Sequence, residues 1–179
     1  TPAQRINIGV GGALNLHPGS TVGTLRPTRT FDEQLDDTVA GIPFHLQHAP
    51  GETDDTLFVW LPERKVLLSG DDIYKAFPNL YTIRGTSYRD PKLWVESLDK
   101  MRALHPEYLV PSHTRPLIGA AVIERTLTDY RDGISYVYDQ SIRLINQGLL
   151  PDEVAARIHL PPQLAASPYL QEFYGKASW

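Results

Sequence analysis

The sequence predicts an α/β domain followed by a helical region. Apolar and polar residues alternate over 42–48, which is typical of a strand with one buried face. Two short apolar segments, 56–61 and 65–68, flank a Pro-Glu-Arg turn and predict a hairpin. From 119 to 147, apolar residues recur at helical intervals. Strands therefore come first along the chain and helices last.

Further elements connect the hairpin to the helical region. Asp90-Pro91 predicts a helix start, because aspartate caps helix N-termini and proline suits the first turn. That helix is expected to end at His105-Pro106, and residues 108–110 predict a short buried strand. In the long helical region a break at Gly133 is left open, and Gly148 is expected to end the helix.

The first 40 residues are predicted to be the least regular part, because glycines and prolines interrupt short apolar segments. The Gly-rich stretch 6–12 has no Lys-Ser/Thr pair, so a surface loop is favoured over a phosphate-binding loop. The sequence begins at Thr1 instead of methionine, and we expect a trimmed or processed chain or a fragment.

Composition excludes several classes of protein. A net charge of −4 without a long basic run argues against nucleic-acid binding. No apolar run reaches the length of a membrane-spanning helix, so no membrane span is expected. The absence of cysteine excludes disulfides, cysteine-ligated zinc and cysteine nucleophiles, and it leaves the cellular compartment open.

Three short motifs follow predicted strands, and each carries a side chain suited to binding a metal ion. They are Pro50-Gly51-Glu52-Thr53, Gly70-Asp71-Asp72 and Pro111-Ser112-His113. Strand ends with tight turns hold ligands rigidly, as a metal site requires. Two carboxylates and one imidazole suit zinc, manganese or iron(II). We therefore expect Glu52, Asp71 and His113 to converge on one point.

In their order, these motifs resemble the second half of the metallo-β-lactamase superfamily. Most of that superfamily has histidine where this chain has Glu52. Glutamate there, together with the segment Asn79-Leu80-Tyr81-Thr82-Ile83-Arg84 and the pair Arg89-Asp90, resembles the alkylsulfatase branch. Segments later in the chain, including residues 170–175, also resemble this branch.

The resemblance implies an α/β fold: the C-terminal half of a metallo-β-lactamase αββα sandwich in residues 1–118, followed by a helical dimerisation region in residues 119–179. It also implies a homodimer formed through the C-terminal helices. In the complete protein it implies two divalent metals, with zinc as the first expectation. Asp71 would bridge them, although most alkylsulfatases of this kind have glutamate there, and Glu52 and His113 would each bind one.

The resemblance further implies a small anionic substrate, a sulfate ester, hydrolysed by a metal-bound hydroxide. Asp71 and Arg84 are the residues expected to be catalytic, and Asn79 and Arg84 would hold the sulfate group. A guanidinium fork fits two oxygens of a tetrahedral anion, and an amide NH2 group fits a third. Other esters, lactones and phosphodiesters stay open as substrates, because one fold supports many reactions.

The first ligand motif of the superfamily, His-x-His-x-Asp-His, does not occur in the 179 residues. His45 and His48 lack an Asp-His pair beside them. We therefore expect a partial or empty metal site in this chain alone, and a fragment of a hydrolase whose N-terminal half carries the motif. Two alternatives stay open: a non-catalytic oligomerisation module or relict, and a hydrolase that uses Glu52 and His113 without metal.

Some site residues also have structural alternatives. Asp71 and Asp72 are adjacent, and one of them could cap a short helix at 73–77. We favour Asp71 as the metal ligand and Asp72 as the cap. Arg84 could form an ion pair with Asp90 instead of binding an anion.

Overall fold

The computed structural model describes residues 25–81 and 87–179. The Gly-rich stretch 6–12 and Arg84 lie outside the described residues, and so does the alternative pairing of Arg84 with Asp90. In the described ranges six strands and four α-helices form an α/β fold. The strands are β1 (Gln34–Val39), β2 (Ile42–His48), β3 (Leu57–Leu61), β4 (Val66–Gly70), β5 (Tyr108–Pro111) and β6 (Leu117–Ile118). The helices are α1 (Pro91–Ala103), α2 (Ala120–Asn146), α3 (Pro151–Arg157) and α4 (Pro162–Ala165).

The six strands form one mixed sheet in sequence order. Strands β1 to β4 pair antiparallel, and the predicted hairpin of β3 and β4 is confirmed, with Val59 opposite Leu68. Strand β5 pairs parallel to β4, because the chain crosses back between them through α1. Strands β2, β4 and β5 therefore run in the same direction, and their C-terminal ends share one edge of the sheet.

Strand β1 lies within the first 40 residues, which were predicted to be the least regular part of the chain, and no strand was predicted there. Its sequence, Gln-Leu-Asp-Asp-Thr-Val, carries little apolar pattern, and only Leu35 is half-buried. The strand pairs along its whole length with β2 at the edge of the sheet. Backbone pairing with a neighbour, which periodicity does not reveal, forms this strand.

Helix α2 is a single helix of 27 residues, so Gly133 does not divide it. Gly133 is buried where the C-terminal tail crosses the helix, and a Cβ atom there would lie 2.9 Å from Leu170 Cδ2. Its role is to allow close packing. Gly148 follows the helix end with φ of +86°, as expected of a glycine that terminates a helix.

One hydrophobic core joins the sheet, α1, α2 and the C-terminal tail. Its largest fully buried side chains are Trp94, Tyr130, Phe58 and Phe77. The tail packs on the body through backbone hydrogen bonds: Phe77 N donates to Gln171 O at 2.8 Å, and Gly175 N donates to Phe77 O at 3.0 Å. Among the described helices, none combines the length and apolar character needed to cross a bilayer.

Candidate active site

A cleft of about 490 Å³ opens at the shared edge of the sheet where β4 and β5 end. Its walls include all three predicted metal ligands and several residues for which no role was predicted. The lining residues are Glu52, Asp71, Tyr74, Lys75, Ala76, His113, Thr114 and Tyr174. The expectation that the three motifs meet at one place follows from the common direction of β2, β4 and β5.

Asp71 and His113 face each other in this cleft. His113 Nε2 lies 3.4 Å from Asp71 Oδ2, and the His113 and Asp71 side chains are 69% and 38% exposed, respectively. Backbone contacts fix the two loops, because Ser112 N donates to Gly70 O at 3.0 Å. Gly70 adopts φ of +60°, a conformation that favours glycine. The strand ends thus bring a carboxylate and an imidazole together at the mouth of the cleft.

Glu52 lines the same cleft, but its carboxylate contacts other partners. Oε1 accepts from Arg89 Nη2, and Oε2 accepts from Tyr74 Oη at 3.1 Å. The Glu52 and Arg89 side chains are only 13% and 4% exposed. Burial raises the pKa of Glu52 above its usual value, and the charge of Arg89 opposes that rise.

The ligand chemistry therefore fits a partial metal site. Asp71 and His113 offer one oxygen and one nitrogen donor to a shared position, and both donor types suit zinc. Within residues 25–81 and 87–179, no three histidine, aspartate or glutamate side chains group closely enough to hold an ion. Glu52 is near this pair without joining it, and the ligand roles of Glu52, Asp71 and His113 all stay predictions.

Asp72 is fully buried, whereas the Asp71 side chain is partly exposed. Its Oδ1 accepts from Glu52 N at 3.2 Å, and its backbone oxygen accepts from Trp94 Nε1 at 2.9 Å. Burial raises its pKa well above the usual range. Residues 73–77 do not form a helix. The expectation that Asp72 caps one is therefore wrong: Asp72 connects the Glu52 loop to α1.

Asn79, which was predicted to bind the substrate anion, is half-buried. Hydrogen bonds through Tyr74 and Arg89 connect its backbone to the carboxylate of Glu52. Its backbone nitrogen donates to Tyr74 Oη at 3.3 Å, and its backbone oxygen accepts from Arg89 Nη1. Sequence reasoning missed Tyr74 and Arg89. Arg89 belongs to a segment that resembles the alkylsulfatase branch, and that resemblance was the available signal. Nothing in the sequence showed that the Arg89 side chain is buried.

Comparison with known proteins gives the family. A sequence model described as the metallo-beta-lactamase superfamily matches residues 6–113. A linear primary-alkylsulfatase from Pseudomonas sp. is 42% identical over 161 residues, which cover 89% of this chain and 30% of that protein. An alkyl/aryl-sulfatase from Saccharomyces cerevisiae is 29% identical over 178 residues, covering 97% of this chain and 27% of that protein. The chain spans less than a third of either relative.

Solved structures agree with the sequence comparison. A stereoselective inverting sec-alkylsulfatase from Pseudomonas sp. superposes with a TM-score of 0.77 at 30% identity, covering 83% of this chain and 24% of that one. A metallo-beta-lactamase family protein from Thermus thermophilus shares the fold, with a TM-score of 0.55 at 19% identity, over 78% of this chain and 44% of that one. The predicted α/β fold class and the resemblance to alkylsulfatases are confirmed. The chain belongs to the metallo-β-lactamase superfamily.

Proposed function

We propose that this chain supplies part of the active site of a metal-dependent hydrolase of sulfate esters. The observation that carries the proposal is the pair Asp71 and His113, 3.4 Å apart at the ends of β4 and β5, in a cleft that also contains Glu52. The substrate class is supported by the names of the relatives, which are a linear primary-alkylsulfatase and an alkyl/aryl-sulfatase.

In this proposal the residues of the chain divide into two groups. Asp71, His113 and Glu52 hold divalent cations, with zinc as the first expectation and Asp71 between two ions. Bound cations of this kind supply Lewis acidity and lower the pKa of water toward neutrality. Asn79 and Arg84 hold and orient the sulfate group of the ester, since an amide and a guanidinium match its oxygens.

The remaining ligands are proposed to come from outside these 179 residues. The sequence contains no His-x-His-x-Asp-His motif, and it covers 30% of the relative with 42% identity. We also propose that residues 119–179 form a helical region through which two copies associate. Exposed apolar side chains on α2, including Val122, Ile142 and Ile145, support that association.

The test is hydrolysis by the full-length protein. Zinc-loaded protein is expected to release sulfate from a linear primary alkyl sulfate, to lose activity on strong chelation and to recover it when zinc is restored. Activity that survives chelation would favour the metal-free alternative with Glu52 and His113. Hydrolysis of a lactone or phosphodiester in preference to the sulfate ester would overturn the proposed substrate class. Absence of zinc and of all hydrolysis would favour the oligomerisation module.

Arg84 provides a more specific prediction. Replacing Arg84 with alanine is expected to raise the KM and lower the kcat for the alkyl sulfate by about tenfold or more, because the site that holds the sulfate group loses one charged hydrogen-bond donor. Zinc content is expected to stay unchanged. The matched control is Arg64→Ala, because Arg64 is exposed in the turn between β3 and β4. Equal kinetics for the two variants would remove Arg84 from the anion site.

A further inference from the structure

We infer that Arg89 and Tyr74 are positioning residues that hold the carboxylate of Glu52 and the backbone of Asn79 as one rigid unit. The inference rests on the proposed function for the roles of Glu52 and Asn79. Neither Arg89 nor Tyr74 belongs to the predicted ligand set. Their effect on the reaction would pass through the two residues that they connect.

The first connection is the guanidinium group of Arg89. Nη2 donates to Glu52 Oε1, and Nη1 donates to the backbone oxygen of Asn79. The two acceptors are far apart in sequence, and this side chain brings them together. A planar fork with two donors in fixed directions can satisfy both acceptors at once, whereas a lysine ammonium has no such fixed geometry.

The second connection is the hydroxyl group of Tyr74, which joins the same two residues. It donates to Glu52 Oε2 at 3.1 Å and accepts from Asn79 N at 3.3 Å. The ring of Tyr74 is held by edge-to-face contacts with Tyr130 and Tyr174, at centroid distances of 6.0 and 5.6 Å. Both carboxylate oxygens of Glu52 and both backbone polar groups of Asn79 are therefore engaged.

Burial makes the ion pair between Arg89 and Glu52 costly to break. The side chains of Arg89 and Glu52 are nearly withdrawn from water, so their ion pair is weakly screened, unlike an ion pair on the surface. Removing one partner would leave the other charge buried without compensation, and the Glu52 carboxylate would be free to turn toward solvent. Orientation of a metal ligand by outer residues of this kind typically contributes about 10–100-fold to affinity or activity.

The experiment uses Arg89→Lys and Tyr74→Phe in the full-length protein. Arg89→Lys keeps the positive charge and loses the fork, and Tyr74→Phe removes only the hydroxyl group. Each variant is expected to bind Zn²⁺ about tenfold more weakly in calorimetric titration of the metal-free protein. Each is also expected to bind inorganic sulfate more weakly and to lower the kcat for a linear primary alkyl sulfate.

The matched control is Arg102→Lys. Arg102 is an ion-paired arginine between α1 and α2, with Asp99 and Glu124 as partners, and it is not among the residues that line the cleft. The control substitution is expected to change thermal stability and to leave affinities for Zn²⁺ and sulfate unaltered. Tyr74→Phe keeps the inference testable if Arg89→Lys fails to fold.

Wild-type affinity for Zn²⁺ in folded Arg89→Lys or Tyr74→Phe would overturn the positioning role. The titration with Zn²⁺ needs no turnover, so it separates the two ideas. If the wild-type protein binds Zn²⁺ and hydrolyses no sulfate ester, the proposed function fails while the positioning role is still measured. If the wild-type protein hydrolyses the ester and the variants match it in affinity and rate, the positioning role alone fails.

Discussion

Replacing Asp71 with alanine is expected to abolish zinc retention and sulfate-ester hydrolysis together in the full-length protein. The side chain faces His113 at the cleft mouth and is the proposed bridge between two cations. Changes to outer residues of metal sites lower affinity or activity by about 10–100-fold, and loss of a bridging ligand should exceed that range. Zinc content after dialysis and kcat/KM for a linear primary alkyl sulfate measure the two effects.

A second aspartate–histidine pair provides the control for Asp71. Asp36 Oδ1 lies 2.8 Å from His45 Nδ1 across β1 and β2, outside the cleft, and Asp36 is well exposed. Asp36→Ala removes the same chemical group from the same kind of pair, so it should leave zinc content and turnover unchanged. Full zinc content in folded Asp71→Ala would contradict the assignment of Asp71 as a ligand.

Replacing Gly51 with alanine is expected to lower the free energy of unfolding by about 3 kcal/mol, the upper end of the usual range for overpacking. A Cβ atom at this position would lie 2.1 Å from Asp72 Oδ1 and 2.8 Å from Trp94 Cδ1. Both neighbours are fully buried and hydrogen-bonded to the surrounding structure, so neither can move without breaking other contacts. Urea denaturation followed by tryptophan fluorescence measures the change.

Gly41→Ala is the control that distinguishes steric crowding from backbone strain. Gly41 adopts φ of +79°, and a Cβ atom there would meet no atom within 4 Å. Gly41→Ala should therefore cost only the strain of a side chain in a left-handed backbone conformation, about 1 kcal/mol. A Gly51→Ala protein that is no less stable than Gly41→Ala would show that the Glu52 loop can move away from α1, against the close packing seen in the structure.

The fold and the position of the site could be predicted from the sequence where the pattern is local. The apolar segments at β2, β3 and β4 and the Asp90-Pro91 helix start all have such local patterns. Because the motifs follow strands that run in one direction, the meeting of Asp71 and His113 was also predictable. The resemblance to a known family then supplied the residue roles.

Long-range contacts without a pattern of their own could not be predicted. Strand β1 is mostly polar and forms by pairing with β2. The contacts of Arg89 with Glu52 and Asn79 depend on burial, which a lone arginine before a helix does not reveal. Gly133 resembles a helix break, yet it serves the packing of Leu170 on α2. In each case tertiary packing overrides the local preference.

The two backbone hydrogen bonds between Phe77 and the C-terminal tail affect the design of chimeras between related proteins. The backbone N–H of Phe77 donates to Gln171 O, and its backbone oxygen accepts from Gly175 N. A Cβ atom at Gly175 would lie 2.0 Å from Pro78 O. The loop that carries Tyr74 and Asn79 thus takes part of its shape from a segment that comes much later in the chain. A chimera that exchanges the helical half alone would pair a foreign tail with the native loop. Functional chimeras should therefore inherit both segments from one parent.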